Sequence, residues 1–581
     1  SSNETNCMIG YHSVSVIADA LYKGISNFDK ELAYRAMKIS AATPAFGLMD
    51  FNNKHFLQVE DESESVSKTL EYGYDSWCVA RTAAFLGRPN EERLFMKRSM
   101  AYINLFDRAT GMMRPRRNGG WLKPFYPSEI NNHYTEGNSW HYSFYAPHDI
   151  EGLISLHGGK SRFEKMLDTL FNTSQKTLGR EQADVTGLIG QYAHGNEPSH
   201  HMAYLYNYVD KPEKTRAMLK KISREFYTNA PDGLIGNEDC GQMSAWYVLS
   251  SLGFYPVCPG KPEYDLGLPL FASAEIRMEG DKVFRIKASD GNANELTASV
   301  NGKVLKGKKL QHADITAGGT LLFTAGSEPE KNQSNKEELR PISYLPAPLI
   351  HSASRVFSKK MELRFSSVVP GEQIFFYSTD GTEPTRQSKR YIQPFTIDSN
   401  CTIRARAYSK ADSSTVTSAG FFKLRHNYKI NVLSKLNPQY TAEGAASLSD
   451  GIHGDTDWRK GDWLGCQGQD LVLVADLRQK KPVNLVKLNC LQDTRSWIVF
   501  PAKVDLYVSD DNVRYRLVAT NVNTVPMSDY QVKTIQFPLQ PTKPVKARYL
   551  KIVATGAGRL PEWHMGSGGE SFIFADELEF R

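Results

Sequence analysis

The stretch Phe163-Glu164-Lys165-Met166-Leu167-Asp168-Thr169-Leu170-Phe171 sets Phe163, Met166, Leu167, Leu170 and Phe171 at i, i+3, i+4, i+7 and i+8. That spacing is the buried stripe of an amphipathic helix, not the alternation of a strand. Toward the N-terminus, Val14, Ile17, Leu21 and Ile25 repeat one helical face, and Met96, Met100 and Ile103 another. Further helical patterns run near residues 28–39, 66–87, 199–209, 212–227 and 241–252. Pro198 and Pro212 suit first-turn positions, where a missing N–H costs nothing. Helices of this length joined by long Gly-rich loops predict paired helices around a central cavity over residues 1–256.

Toward the C-terminus the period changes after Pro256. Runs such as Val283–Lys287 and Leu321–Phe323, separated by Gly and Asn, predict a β-rich continuation over 257–327. Glu328–Glu338 is polar and free of apolar residues, which predicts a linker over 328–344. A small β unit follows at 345–424, with strands around Met361–Phe365, Ile374–Ser378 and Thr402–Tyr408. The many short strands and turns of 428–581 predict a β-sandwich. The fold class is therefore multidomain α + β, and no internal repeat is evident.

Composition narrows the function. A chain of 581 residues has room for three or four domains with cores of their own. No run of about eighteen apolar residues occurs, so nothing is expected to span a membrane. The net charge of +6 is dispersed without a basic block, which argues against a nucleic-acid partner. The seven cysteines form no C-x-x-C pair, so no zinc finger is expected, and most should be buried small hydrophobes. Their odd number excludes a fully paired intramolecular set but not an exported protein. Ser1–Gly10 shows neither a positive n-region nor an apolar h-region. Aromatic residues at 11%, with 28 Tyr and 8 Trp, suit stacking on sugar rings as well as core packing.

Three segments of the helical half concentrate acidic, aromatic and glycine residues where a plain connection would need none. They are His133-Tyr134-Thr135-Glu136-Gly137-Asn138-Ser139-Trp140-His141-Tyr142, Gly195-Asn196-Glu197-Pro198-Ser199-His200-His201, and Gly236-Asn237-Glu238-Asp239-Cys240-Gly241-Gln242-Met243-Ser244-Ala245-Trp246-Tyr247. A ring of paired helices gathers such loops at one end, so their carboxylates can converge on one pocket, as glycoside hydrolysis requires. Each segment also has a plainer reading. A Glu ahead of a helix serves as a partner for the helix dipole, which covers Glu136 alone and the Glu238-Asp239 pair. The adjacent His200 and His201 point to different faces and make a poor metal pair.

Taken together and in this order, the segments resemble glycoside hydrolase family 92. The resemblance extends to Asn6-Cys7-Met8-Ile9-Gly10-Tyr11-His12, to Val14–Phe28 with Asp19-Ala20 and Lys23-Gly24, to Glu64-Ser65-Val66-Ser67-Lys68-Thr69-Leu70-Glu71-Tyr72, and to Ser250-Ser251-Leu252-Gly253-Phe254-Tyr255-Pro256. It covers roughly residues 5–327. It implies part of an (α/α)6 barrel that hydrolyses α-mannosides with inversion and depends on calcium. Carried over residue by residue, it makes Glu136 the general acid and Asp239 the general base. Related enzymes that cleave mannosyl phosphodiesters lack the acidic residue at the first position, so Glu136 favours a true glycosidase. Some members carry a second acidic residue two before the base; here Asn237 stands there, which leaves the base role to Asp239. Glu197 is expected in or near the leaving-group subsite, with Trp140, His200 and Glu238 as further sugar contacts. Ca2+ is expected near the loop of Asn196 and Glu197.

The family's N-terminal sandwich and the first helices of its barrel are absent from this sequence. It is therefore expected to begin partway round the barrel. About eight to ten helical segments stand where a full ring has about twelve, so the faces around Val14–Ile25 and Met243–Leu252 should lack neighbours unless another chain covers them.

Tyr377-Ser378-Thr379-Asp380-Gly381-Thr382-Glu383-Pro384-Thr385 and Ile403-Arg404-Ala405-Arg406-Ala407-Tyr408 resemble the C-terminal β-domain of chitobiases and hexosaminidases. The turn formers Asp-Gly and Glu-Pro account for this motif without a ligand, so a spacer is expected. Leu448-Ser449-Asp450-Gly451, Trp463-Leu464-Gly465-Cys466-Gln467-Gly468, Leu491-Gln492-Asp493 with Trp497, and Val508-Ser509-Asp510-Asp511 resemble a discoidin-like (coagulation-factor type C) jelly-roll sandwich. Sugar-binding relatives use loop aromatics, for which Trp458, Trp563 and His564 are candidates, whereas Trp463 and Trp497 suit a core. The expectation is an exported bacterial exo-α-mannosidase acting on mannose-containing glycans. The alternatives are a non-catalytic carbohydrate-binding protein and a different (α/α)6 glycosidase.

Overall fold

The computed structural model describes residues 7–25, 27–288, 296–305, 309–325, 339–410, 412–424 and 426–580. The linker expected at Glu328–Glu338 lies outside the described residues. The first part is built on helices α1 (Ser13–Tyr22), α2 (Lys30–Ala41), α3 (Leu48–Lys54), α4 (Ser65–Phe85), α5 (Pro89–Ser99), α6 (Ser139–Tyr142), α7 (Ile150–His157), α8 (Lys160–Asn172), α9 (Pro212–Glu225) and α10 (Gln242–Ser251).

Helix α8 buries Phe163, Leu167, Leu170 and Phe171, with Met166 packed half-buried beside them. Helix α4 is the centre of the packing: 18 of its 21 residues are buried, and α1, α2, α3, α5 and α6 lie against it. Its charges are tolerated inside because they are paired. Lys68 Nζ lies 2.6 Å from Glu62, and His12 bridges Glu71 at 2.6 Å and Asp75 at 2.7 Å.

Several expected elements take a different form. Helix α1 stops at Tyr22, because Gly24 adopts φ +84°. The Gly24 amide then donates to the Leu21 carbonyl and the Ile25 amide to the Ala20 carbonyl. This paired C-terminal cap turns Ile25 out of the helix, so it does not share the face of Leu21 and is 58% exposed. The segments Met100–Leu105 and Met202–Val209 wind as 3-10 helices. Val14, Ala18 and Leu21 are buried, and Val14 and Ala18 join a cluster with α4's Tyr74, Trp77 and Cys78, so the α1 face expected to lack a neighbour has one. The exposed apolar side chains lie elsewhere: Val16 on α1, Leu32 and Ile39 on α2, and Val248 on α10.

Beyond α10, Phe254–Tyr255, Glu263–Leu266 and Lys309–Gln311 form a three-stranded sheet. A five-stranded sheet runs in the order Ser273–Arg277, Val283–Ala288, Gly319–Ala325, Leu296–Val300 and Lys303–Val304. Strands such as Met361–Ser366 and Cys401–Tyr408 alternate inward apolar and outward polar residues around Leu363, Phe365, Ile403 and Ala405. The last unit has a five-stranded sheet and a four-stranded sheet, both antiparallel, with one core of Leu473, Leu488, Leu506, Ile552 and Leu578. Trp463 is buried with Leu491, Ile498 and Phe574. Among the described residues no helix is long and apolar enough to cross a membrane.

Candidate active site

The loop ahead of α6 is fixed from both sides. The first amides of α4 have no intrahelical acceptor, and the Val66 amide donates to the carbonyl of His133 at 3.1 Å. Two residues earlier, the Glu64 amide donates to the Asn132 carbonyl at 2.7 Å, and Ser67 Oγ accepts from the Thr135 amide at 2.8 Å. On the other side Asn138 caps α6 by accepting from the Trp140 and His141 amides, while His141 Nδ1 accepts from the Asn138 amide. Gly137 fits there because a Cβ would sit 2.7 Å from His141 Nδ1. Between these anchors Glu136 takes φ +48°, an uncommon conformation for a side-chain-bearing residue.

The loops of Glu197 and Asp239 meet back to back at two glycines. A Cβ on Gly236 would lie 3.3 Å from the Cα of Gly195, and one on Gly195 would lie 1.9 Å from Thr186 Oγ1. Asn196 Oδ1 accepts from the Glu197 amide at 3.0 Å, and its Nδ2 donates to Glu136 Oε2 at 3.2 Å. Asp239 and Cys240 precede α10 at φ +50° and +54°. Strained backbone therefore occurs at both residues expected to carry the chemistry.

The carboxylates feel one another. Burial raises the carboxyl pKa of Glu136 above the ordinary range; the charges of Asp184 and Asp239 add to this, while hydrogen bonds from Cys7 and Asn196 oppose it. Burial also raises that of Glu197, reinforced by the charge of Asp239, by a hydrogen bond with Asp239 and by the charge of Glu136. A proton held in such a cluster at neutral pH is what general acid–base chemistry needs.

Two participants come from outside the three acidic segments. Asp184 accepts from Asn237 Nδ2 at 3.0 Å and from Gln182 Nε2 at 2.6 Å, in a loop without motif or periodicity. Cys7 is exposed, unlike the buried role expected of most cysteines, and its thiol donates to Glu136 Oε1 at 2.9 Å.

The remaining predicted residues take other places. Glu238 caps α10, accepting from the Gly241 amide and, at 3.0 Å, from the Ser244 amide. His200 is buried, with Nε2 2.9 Å from the His194 carbonyl oxygen and Nδ1 accepting from Gln242 at 3.0 Å. Both ring nitrogens are thus engaged by protein. Trp140 is buried on α6, and its Nε1 has no hydrogen-bond partner among the described residues. Trp563 lies on the C-terminal sandwich, half exposed and edge-on to Tyr530 at 6.1 Å. The neighbouring His564 is buried between the Thr494 carbonyl, 2.8 Å from Nε2, and the Gly566 amide. Trp458 packs on Tyr440 and Phe574 and donates to Asp493.

The oxygen donors expected to hold calcium are partly committed. Asn196 Oδ1 accepts from the Glu197 amide, and burial with the neighbouring Asp239 charge raises the pKa of the Glu197 carboxyl. Among the described residues no group of three His, Cys, Asp or Glu side chains is placed to hold a metal ion. Calcium takes about six to eight oxygens, so Asn196 and Glu197 as arranged do not complete such a site.

Comparison with known proteins bears on the family. Residues 1–327 match the glycosyl hydrolase family 92 catalytic domain, and residues 363–421 match the Fn3-associated family. A family GH92 α-mannosidase from Bacteroides thetaiotaomicron is 40% identical, with a TM-score of 0.54 over 59% of this chain and 47% of its own. A family GH92 inverting mannosidase from strain VPI-5482 of that species is 33% identical, with a TM-score of 0.52 over 59% of this chain and 49% of its own. A protein of Arthroderma benhamiae described as an uncharacterized secreted glycosidase is 27% identical over 379 residues, 57% of this chain and 47% of its own length. The chain spans about half the length of these relatives. With the catalytic-domain match covering residues 1–327 of 581, the chain belongs to glycosyl hydrolase family 92.

Proposed function

We propose that this chain carries the acid–base centre of an exported exo-acting α-mannosidase that releases terminal mannose from glycans with inversion. The observation that carries the reading is the convergence of the loops of Glu136, Glu197 and Asp239: Asn196 Nδ2 donates to Glu136 Oε2 at 3.2 Å, and a Cβ on Gly236 would lie 3.3 Å from the Cα of Gly195. The likeness to the two α-mannosidase and mannosidase structures, 40% and 33% identical, supports the choice of sugar. The helices are read as part of an (α/α)6 barrel whose loop end is the pocket.

In the proposed reaction Glu136, kept protonated by burial and by neighbouring carboxylates, gives its proton to the glycosidic oxygen as the C1–O bond breaks. Asp239 takes a proton from a water that attacks C1 from the opposite face, so the product is β-mannose. Glu197, whose pKa is raised by burial and by the charge of Asp239, neighbours that base. The Nε1–H of Trp140, Oγ1 of Thr135 and Oγ of Ser199, buried without hydrogen-bond partners among the described residues, are suited to sugar hydroxyls. A calcium requirement, implied by the family, is tested by chelation and calcium add-back.

Time-resolved proton NMR of an α-mannobiose digest tests the reading. β-Mannose as the first product supports it. α-Mannose appearing first overturns inversion, and no release of mannose overturns the activity.

A further inference from the structure

The C-terminal sandwich is seated on the catalytic part rather than tethered to it. Asp462 Oδ1 lies 2.5 Å from Arg117 Nη2 of the helical part and 2.5 Å from Arg355 Nη2 of the middle β unit. All three side chains are only 12–13% exposed, so the bridge is largely shielded from solvent. Gln439 Nε2 donates to the Ile130 carbonyl at 2.7 Å, where Glu129–Ile130 pairs in parallel with Leu178–Gly179. Gly179 permits this approach, since a Cβ there would lie 2.9 Å from Gln439 Nε2.

The two segments clamped in this way lead directly to Glu136 and Asp184. They are tied together by Arg180, whose Nη1 donates to Asn132 Oδ1 at 2.9 Å. The sandwich turn Asp457–Asp462 carries Arg459, whose Nε donates to Asp457 Oδ1 at 2.7 Å. No other hydrogen bond from its guanidinium is formed among the described residues, and the side chain is 43% exposed. Burial opposes its charge, which Asp457 and then Glu64 and Glu62 support, and the Glu64 amide donates at 2.7 Å to the Asn132 carbonyl on the segment that leads to Glu136.

We propose that the turn Asp457–Asp462 is the outer wall of the catalytic pocket, and that Arg459 hydrogen-bonds glycan hydroxyls beyond the cleaved sugar. The proposal rests on the glycosidase reading and deepens it. The substrate class is an oligosaccharide or branched glycan whose leaving group extends at least one sugar past the scissile bond. A guanidinium presents planar donors to adjacent hydroxyls, which a lysine cannot reproduce.

The test compares R459A and R459K with the parent chain on an α-linked mannotriose and on an aryl α-mannoside. R459A should lower kcat/KM for the triose about 10-fold relative to the aryl substrate, with R459K between parent and R459A. An unchanged ratio in an active parent overturns the proposal alone, as does an equal loss on both substrates. A parent that cleaves neither substrate overturns the glycosidase reading and this proposal with it, so the parent's activity separates the two failures. Hydrogen exchange gives a second measurement, independent of catalysis. D462N should speed amide exchange in residues 131–136 and 178–184, and unchanged exchange there overturns the seating.

Discussion

The thiol of Cys7 donates to Oε1 of Glu136 at 2.9 Å, while Asn196 Nδ2 holds Oε2 at 3.2 Å. Both bonds stabilise the ionised carboxylate and counter the burial that favours its protonated form. Burial and then Glu136 itself push the Cys7 thiol well above its ordinary range, so it remains a donor and not a nucleophile. Removing the donor should raise the Glu136 pKa further. In C7A the alkaline limb of the pH–rate profile should move to higher pH. In C7S, which keeps a donor, it should stay near the parent. Identical profiles for the parent and both variants would remove Cys7 from the tuning of the acid.

Loss of the acid and loss of the base should differ in their dependence on the leaving group. E136Q should lower kcat on a mannobiose by about 10²–10⁴-fold. It should retain most activity on an aryl mannoside whose phenolate leaves without protonation. D239N should be as damaging on both substrates, because water activation does not depend on the leaving group. Equal losses for E136Q on both substrates would take the acid role from Glu136.

Glu197 should make stability depend on pH. Its folded-state pKa lies above the unfolded value because it is buried beside Asp239. For a raised acid, the stabilising contribution is present below the unfolded pKa of about 4.3 and is lost as pH rises through the folded value of about 7. E197Q removes the charge, so its Tm relative to parent should be higher at pH 8 than at pH 5, although activity falls. A Tm difference independent of pH would show that Glu197 is not held protonated.

The contact between the loops of Glu197 and Asp239 should tolerate no side chain. A Cβ at Gly195 would lie 1.9 Å from Thr186 Oγ1, and Gly236 adopts φ +88° against Gly195. G195A should cost about 1–3 kcal/mol in denaturant unfolding, the usual penalty of overpacking. G236A should destabilise through its left-handed backbone as well. Parent-like unfolding of G195A would show that the two loops are not pressed together.

The amphipathic stripe of Phe163–Phe171, the change of period after Pro256 and the alternation in Met361–Ser366 were legible in the sequence. Each depends on spacing within a single element, and spacing is local. Ile25 broke the pattern because a glycine cap ended α1 first. The three acidic loops stood out in the sequence as candidate chemistry, because carboxylates there recur beside glycines and asparagines ahead of aromatic helices.

Which carboxylate does what was not local. Glu238 and Asp239 are adjacent, yet one caps α10 and the other meets Glu197, because the left-handed turn at Asp239 and Cys240 sends the two side chains apart. Asp184 and Cys7 acquire their parts only when segments distant in the chain fold against Glu136 and Asn237. The sequence by itself determined the helical and β elements and the family, since both are written in short-range patterns of residue type. Only the tertiary structure decided the company each charge keeps, because desolvation and Coulomb interactions depend on distances between residues that no spacing along the chain records.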